Sequence, residues 1–148
     1  MALPTIILTP GAWHSPDVFT KIIPKLEAAG HKVITVDWPS CAQAPQLNID
    51  ADIALIRSVV AAEADAGRDM VIVAHSWAGA PVVSAVGDFA AAKRRAQGEA
   101  GGVVALAFMC AFVVPKGVSL FDALGREVPA LWNVQVGLAI SKLEPLFR

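Results

Sequence analysis

Apolar residues along this chain come in two patterns. Some form short unbroken runs; others recur every three to four positions. The first run, residues 5–8, reads as a buried strand and stops at Pro10-Gly11. A helical period follows. Ser15 is placed to cap it, Pro16 suits the first helical position, and Asp17 suits the N-terminal dipole. Val18, Ile22 and Leu26 form its stripe, with Phe19 and Ile23 beside them; Pro24 predicts a kink and Gly30 the end. Residues 31–37 predict a second strand, followed by a proline-bearing loop. The second helix begins at Asn48, with Asp50 and Asp52 in its first turn, a stripe of Ile49, Ile53, Ile56 and Val60, and Gly67 at its end. Residues 69–76 predict the third strand. A third helix follows, with Val82, Ala85, Val86 and Phe89 inward and Lys93, Arg94 and Arg95 in its last turn, read as a solvated end. The apolar run 103–114 predicts a fully buried fourth strand and halts at Pro115. Beyond it only residues 118–124 suggest a helical turn, and residues 132–148 are amphipathic without an evident partner.

The order β-α-β-α-β-α-β predicts an α/β fold: a three-layer sandwich whose parallel sheet of about four strands carries helices on both faces. Strands that read as continuous apolar runs agree with that burial. The 148 residues fit one domain, with residues 116–148 a weakly defined tail or the start of a lid. Composition adds two exclusions. Twelve basic against thirteen acidic residues give no affinity for nucleic acid. Apolar residues are 55% of the chain and the mean hydropathy is +0.56, yet the longest apolar run is too short for a membrane span of roughly 20 residues. The N-terminus has no basic residue before its apolar stretch, so no signal peptide is expected. Cys41 and Cys110 match neither metal nor redox spacing, and a reducing, cytoplasmic location is the expectation, with no metal and no cofactor.

In open α/β sheets, chemistry collects beyond the carboxyl ends of the strands. Three loops lie there: TPGAWHS, DWPSCAQAP and AHSWAGA. The third approaches G-x-S-x-G, the sharp strand-to-helix turn that exposes a nucleophilic serine. Its small flanking residues are Ala74 and Ala78, with Gly79 next. Ser76 is therefore the candidate nucleophile, and the Trp77 backbone N–H, at a helix start, a candidate oxyanion donor. The second donor is expected from the loop after the first strand, where Gly11 permits close approach and Ala12 presents its N–H. Trp13, His14 and Trp77 are expected to line a pocket. His75, beside Ser76, is expected to point away from the serine as a packing and hydrogen-bonding residue. Trp38 and Trp132 are read as packing residues and His31 as a surface residue.

The stretch LTPGAWHSPDVFTKIIPKLEAAGHKVITVDWPS, followed by VIVAHSWAGAPVV, resembles the α/β-hydrolase superfamily. The likeness is to the branch of plant methylesterases and hydroxynitrile lyases and to fungal hydrolases, and it covers roughly residues 4–120. It implies a partial α/β-hydrolase fold, a serine nucleophile at Ser76 and oxyanion donors at Ala12 and Trp77. Pro10 stands where the family has histidine, and alanines replace both elbow glycines. The implied activity is hydrolysis of a small carboxylic ester or related acyl compound; a hydroxynitrile-lyase-like reaction is the alternative within the family.

A serine hydrolase of this fold carries its acid and then its histidine after the serine. The three histidines here are His14, His31 and His75, and none follows Ser76. Asp88, Asp122 and Glu127 do follow, with no histidine to orient, and Asp122 reads more simply as a helix-cap or surface residue. The family also continues into a lid and two more strands. A C-terminally truncated member is therefore expected, with the fourth strand an exposed apolar edge open to self-association. A non-catalytic remnant that binds a ligand or nothing, and half of a two-chain hydrolase, are the competing expectations.

Overall fold

The structure, a computed structural model, describes residues 2–41, 48–127, 132–135 and 138–141, the last two stretches by backbone alone. A four-stranded parallel sheet runs in the order β2-β1-β3-β4, with β1 Thr5–Thr9, β2 Val33–Thr35, β3 Asp69–His75 and β4 Gly102–Met109. The outward step from β1 to β2, then back across to β3 and β4, leaves the carboxyl ends of β1 and β3 side by side. That is where the candidate loops emerge.

Side chains alternate across the sheet, as strand geometry requires. Ile6 and Leu8 of β1 meet Phe19, Ile23, Leu26, Val71 and Val73 on one face. Ile7, Met70, Ile72 and Ala74 face the other way and pack with Val36, Trp38, Ile56, Val60 and Val82. Helices α1 (Ile23–Ala28) and α2 (Ile49–Asp65), with α3 (Gly79–Ala85), supply these two layers. The three-layer expectation holds.

Several boundaries differ, each for a local reason. Ser15 caps only a short 3-10 turn, Pro16–Phe19; Pro24 then opens α1 as one of its first residues, so the anticipated kink is a break. The third helix is also divided. α3 ends where Arg57 donates to the Ala85 carbonyl, and α4 (Ala91–Ala96) starts anew after a 3-10 turn, Gly87–Phe89. The basic residues of α4 are paired, not merely solvated. Lys93 meets Asp88 at 2.8 Å and Arg95 meets Asp69 at 2.6 Å, while Arg94 also donates to the Gly101 carbonyl. Asp88, between Lys93 and Arg57, is held at a pKa of about 2. His31, expected at the surface, is half-buried with Nδ1 2.8 Å from the Pro4 carbonyl.

β4 separates two expectations: as an apolar run it reads as fully buried, whereas as the last strand of a shortened sheet it is an exposed edge. The second holds, since only its first two residues are buried and Val104, Phe108 and Met109 are nearly half exposed. It is the edge of the sheet, and among the described residues no strand pairs along its outer side. Farther on, Ser119 and Asp122 form a capping box on α5 (Leu120–Ala123), which gives Asp122 a structural task. β5 (Trp132–Gln135) and β6 (Leu138–Ser141) pair antiparallel as a separate two-stranded sheet.

Glu63 of α2 joins the layers. Its carboxylate is buried (4% exposed) and accepts from Thr5 Oγ1 at 3.0 Å, Lys32 Nζ at 2.7 Å and Arg68 Nε at 2.6 Å. Arg68 foremost, then Lys32 and Thr5, hold its pKa down to about 2 against the cost of burial. The folded value lies below the unfolded one, so this stabilisation is complete above about pH 5 and is lost as pH falls from about 4.5 to 2. Glu63→Gln is expected to cost about 2–3 kcal/mol at pH 7. Urea unfolding of both proteins at pH 7 and pH 3 should show the gap narrowing at the lower pH.

Candidate active site

The candidate site is built from the ends of β1 and β3. β3 runs without a break into a 3-10 turn, Ser76–Ala78, and then into α3. At the junction Ser76 takes φ 54°, in the left-handed region. A non-glycine residue there costs of order 1–3 kcal/mol and persists only where its surroundings enforce it. Here they do. The Phe112 N–H donates to the Ser76 carbonyl at 2.9 Å, and Ala78 and Gly79 are fully buried behind the turn. Ser76 itself is half-buried, and among the described residues no hydrogen bond reaches its hydroxyl.

Gly11 sits directly against this turn. A Cβ there would lie 3.1 Å from His75 Nδ1 and 3.1 Å from Ser76 Cβ, so a side chain would have to push the loop or the turn apart by a few tenths of an ångström. Ala12 follows, then Trp13 at φ 62°, which reverses the chain. The Gly11–His14 loop and the Ser76 turn are thus brought together. The two histidines also meet: the rings of His14 and His75 stand edge to face, centroids 6.1 Å apart. His75 and Ser76 both lie against Gly11. Burial, and secondarily His14, push the pKa of His75 down, so its ring is neutral at pH 7. His14 Nδ1 lies 2.8 Å from the Ala12 carbonyl, which can only accept, so Nδ1 is the donor in this contact.

The loop after β2 braces both sides. Trp38, fully buried, donates its indole N–H to the Pro10 carbonyl at 2.7 Å, and Cys41 Sγ accepts from the Trp13 N–H at 3.4 Å. Behind the elbow lies a residue that sequence reasoning treated only as helix-dipole charge. Asp52 is fully buried and accepts from the Ser40 N–H, the Ser40 hydroxyl and the Trp77 indole. The signal was present: Asp52 lies one turn before Ile56 and two before Val60, on the buried stripe of α2. Ala42 to Leu47, the rest of that loop, lie outside the described residues, as does the side chain of Trp132. Among the described residues no cluster of three potential metal ligands occurs, and no helix is long and apolar enough to cross a membrane.

Comparison with known proteins agrees with this geometry. The model of the alpha/beta hydrolase family matches residues 6–147. The alpha/beta hydrolase nvfD of Aspergillus novofumigatus is 34% identical over 130 residues, which cover 87% of this chain and 51% of that protein. The carbendazim hydrolyzing esterase of a Nocardioides species is 29% identical over 126 residues, 83% of this chain and 48% of that one. Among solved structures, a variant of polyneuridine aldehyde esterase has a TM-score of 0.63 at 20% identity, covering 86% of this chain and 49% of that one. A variant of PytH has a TM-score of 0.67 at 16% identity, covering 97% and 58%. The chain spans about half the length of the curated relatives it matches. With the sheet order, the strained serine turn and a family match over nearly every residue, the chain belongs to the alpha/beta hydrolase family.

Proposed function

We propose that this sheet serves serine-dependent hydrolysis of a small carboxylic ester or related acyl compound. Ser76 Oγ attacks the acyl carbon, and the backbone N–H groups of Ala12 and Trp77 receive the charge on its oxygen. The Ser76 proton passes to the departing alkoxide, which leaves as the alcohol, and water then cleaves the acyl-serine ester, returning a proton to Oγ and releasing the acid. The observation that carries the reading is the φ of 54° at Ser76, where a strand turns into a helix. The esterase among the relatives supports the substrate class. The two free cysteines, Cys41 and Cys110, fit a cytoplasmic setting.

A second reading is a non-catalytic protein that binds a ligand at the same loops; it is favoured by the Ser76 hydroxyl, which no hydrogen bond reaches among the described residues. Without a base, the oxyanion hole and binding supply only about a thousand- to ten-thousand-fold over water. A fluorophosphonate probe with intact-mass readout separates the two. Labelling of the parent chain, absent in Ser76→Ala, is expected. No labelling, where the carbendazim hydrolyzing esterase reacts under the same conditions, overturns the hydrolase reading.

We also infer self-association through β4. It is a sheet edge with Val104, Phe108 and Met109 exposed, and such edges pair with other chains. Light scattering on the parent chain should show species larger than one chain, reduced by Phe108→Lys. A monomer across the concentration range overturns it.

A further inference from the structure

We propose that Asp52 is the positioning residue of the oxyanion hole: one buried carboxylate that sets the Ala12 loop and the Trp77 turn relative to each other. The proposal rests on the role given to Ala12 and Trp77 above. Asp52 Oδ2 accepts from the Trp77 indole at 3.3 Å, which ties the carboxylate to the elbow. The same oxygen accepts from the Ser40 hydroxyl at 2.6 Å, and Oδ1 accepts from the Ser40 N–H at 3.0 Å. Ser40 belongs to the segment that grips the other loop. On its two sides, Trp38 holds the Pro10 carbonyl and Cys41 Sγ holds the Trp13 N–H. Ala12 therefore sits in a span whose ends are fastened to residues 38–41, and residues 38–41 are fastened to Asp52.

Three donors converge on the two oxygens of Asp52, and among the described residues it makes no ion pair, so these hydrogen bonds are what fix the carboxyl group in place. An oxyanion hole works only if its donors are already aimed, since donors that must reorient lose their advantage over water. An exposed aspartate in the first turn would serve the helix dipole as well; full burial beside Trp77 serves the loops.

The test is amide exchange by NMR on the parent chain, Asp52→Asn, Asp52→Ala and Trp77→Phe. The reporters are the Phe112 amide, which donates to the Ser76 carbonyl, the Trp13 amide and the Trp38 indole. In Asp52→Ala all three should exchange about tenfold faster or more, while amides of β1 and β3 keep their rates. Asp52→Asn keeps one acceptor oxygen and should show a smaller change, so the proposal survives a failure of the alanine variant to fold. Trp77→Phe removes only the elbow arm and should move Phe112 alone. Uniform acceleration, or none, overturns the proposal. Probe labelling of Ser76 is read on the same samples. If the parent chain is not labelled, the nucleophile assignment fails and the exchange pattern still decides the role of Asp52. If the parent is labelled and Asp52→Asn reacts at the parental rate, the positioning role is overturned and the nucleophile stands.

Discussion

Trp38→Ala is expected to lower the unfolding free energy by about 3–5 kcal/mol, the range for removing a large aromatic from a packed core. Trp38 has no exposed surface and sits among Val36, Ile56, Val60 and Met70, at the centre of the layer under α2. It also satisfies the Pro10 carbonyl at 2.7 Å, which is left buried and unpaired when the indole goes. A domain of this size holds about 5–15 kcal/mol in total, so the variant should sit near its folding threshold. Trp38→Phe separates the two contributions. It keeps most of the apolar volume and loses the donor, and should cost about 1–3 kcal/mol. Urea unfolding with a common slope checks both. A Trp38→Ala cost below about 1 kcal/mol would mean that the core closes over the gap, and that the Trp38–Pro10 bond does not brace the loop.

The order of elements was legible because it rests on local chemistry. Asn48 accepts from the Asp50 N–H as the cap of α2, and Gly30 and Gly67, which follow α1 and α2, have φ of +93° and +73°. The sharp turn at Ser76 was legible for a similar reason: small residues flank the point where an apolar strand gives way to a helix. The divided helices were less so. Arg57 ends α3 from 28 residues away through the Ala85 carbonyl, and no periodicity within residues 77–96 carries that contact. The exposure of β4 is also non-local. An apolar run states what a strand prefers to bury, and neighbours in the sheet decide whether it does. Asp52 and Glu63 show a further limit. Both stand on the buried side of α2, where pattern reading looks for apolar residues, and their partners come from other elements: Ser40 and Trp77 for one, Thr5 and Lys32 for the other. Even His75 follows this rule, because its contact with His14 depends on how closely Gly11 lets two loops approach.

Gly79→Ala is expected to disable the elbow. A Cβ at Gly79 would overlap the Phe112 carbonyl oxygen and lie 3.0 Å from its carbon and 3.1 Å from Ala111 Cβ. Two of the three obstacles are backbone, so no rotamer change relieves them, and the segment 111–112 must move. That segment is also what holds the serine turn, since the Phe112 N–H donates to the Ser76 carbonyl. Overpacking of this kind costs about 1–3 kcal/mol, occasionally more, and the upper end applies where backbone must yield. The loss of reactivity should exceed the loss of stability, because a displacement of about 1 Å at a catalytic group is worth on the order of a hundredfold in rate. Gly87→Ala is the matched control. No atom lies within 4 Å of its Cβ position and its φ is not in the left-handed region, so the change should be neutral or stabilising by up to about 1 kcal/mol. Thermal unfolding and Ser76 labelling of the two variants, side by side, distinguish a general intolerance of helix-layer substitutions from a specific contact at the elbow. If Gly79→Ala labels and melts like Gly87→Ala, the Phe112 segment is not what keeps Ser76 in its strained conformation, and the turn must be held by β3 and α3 alone.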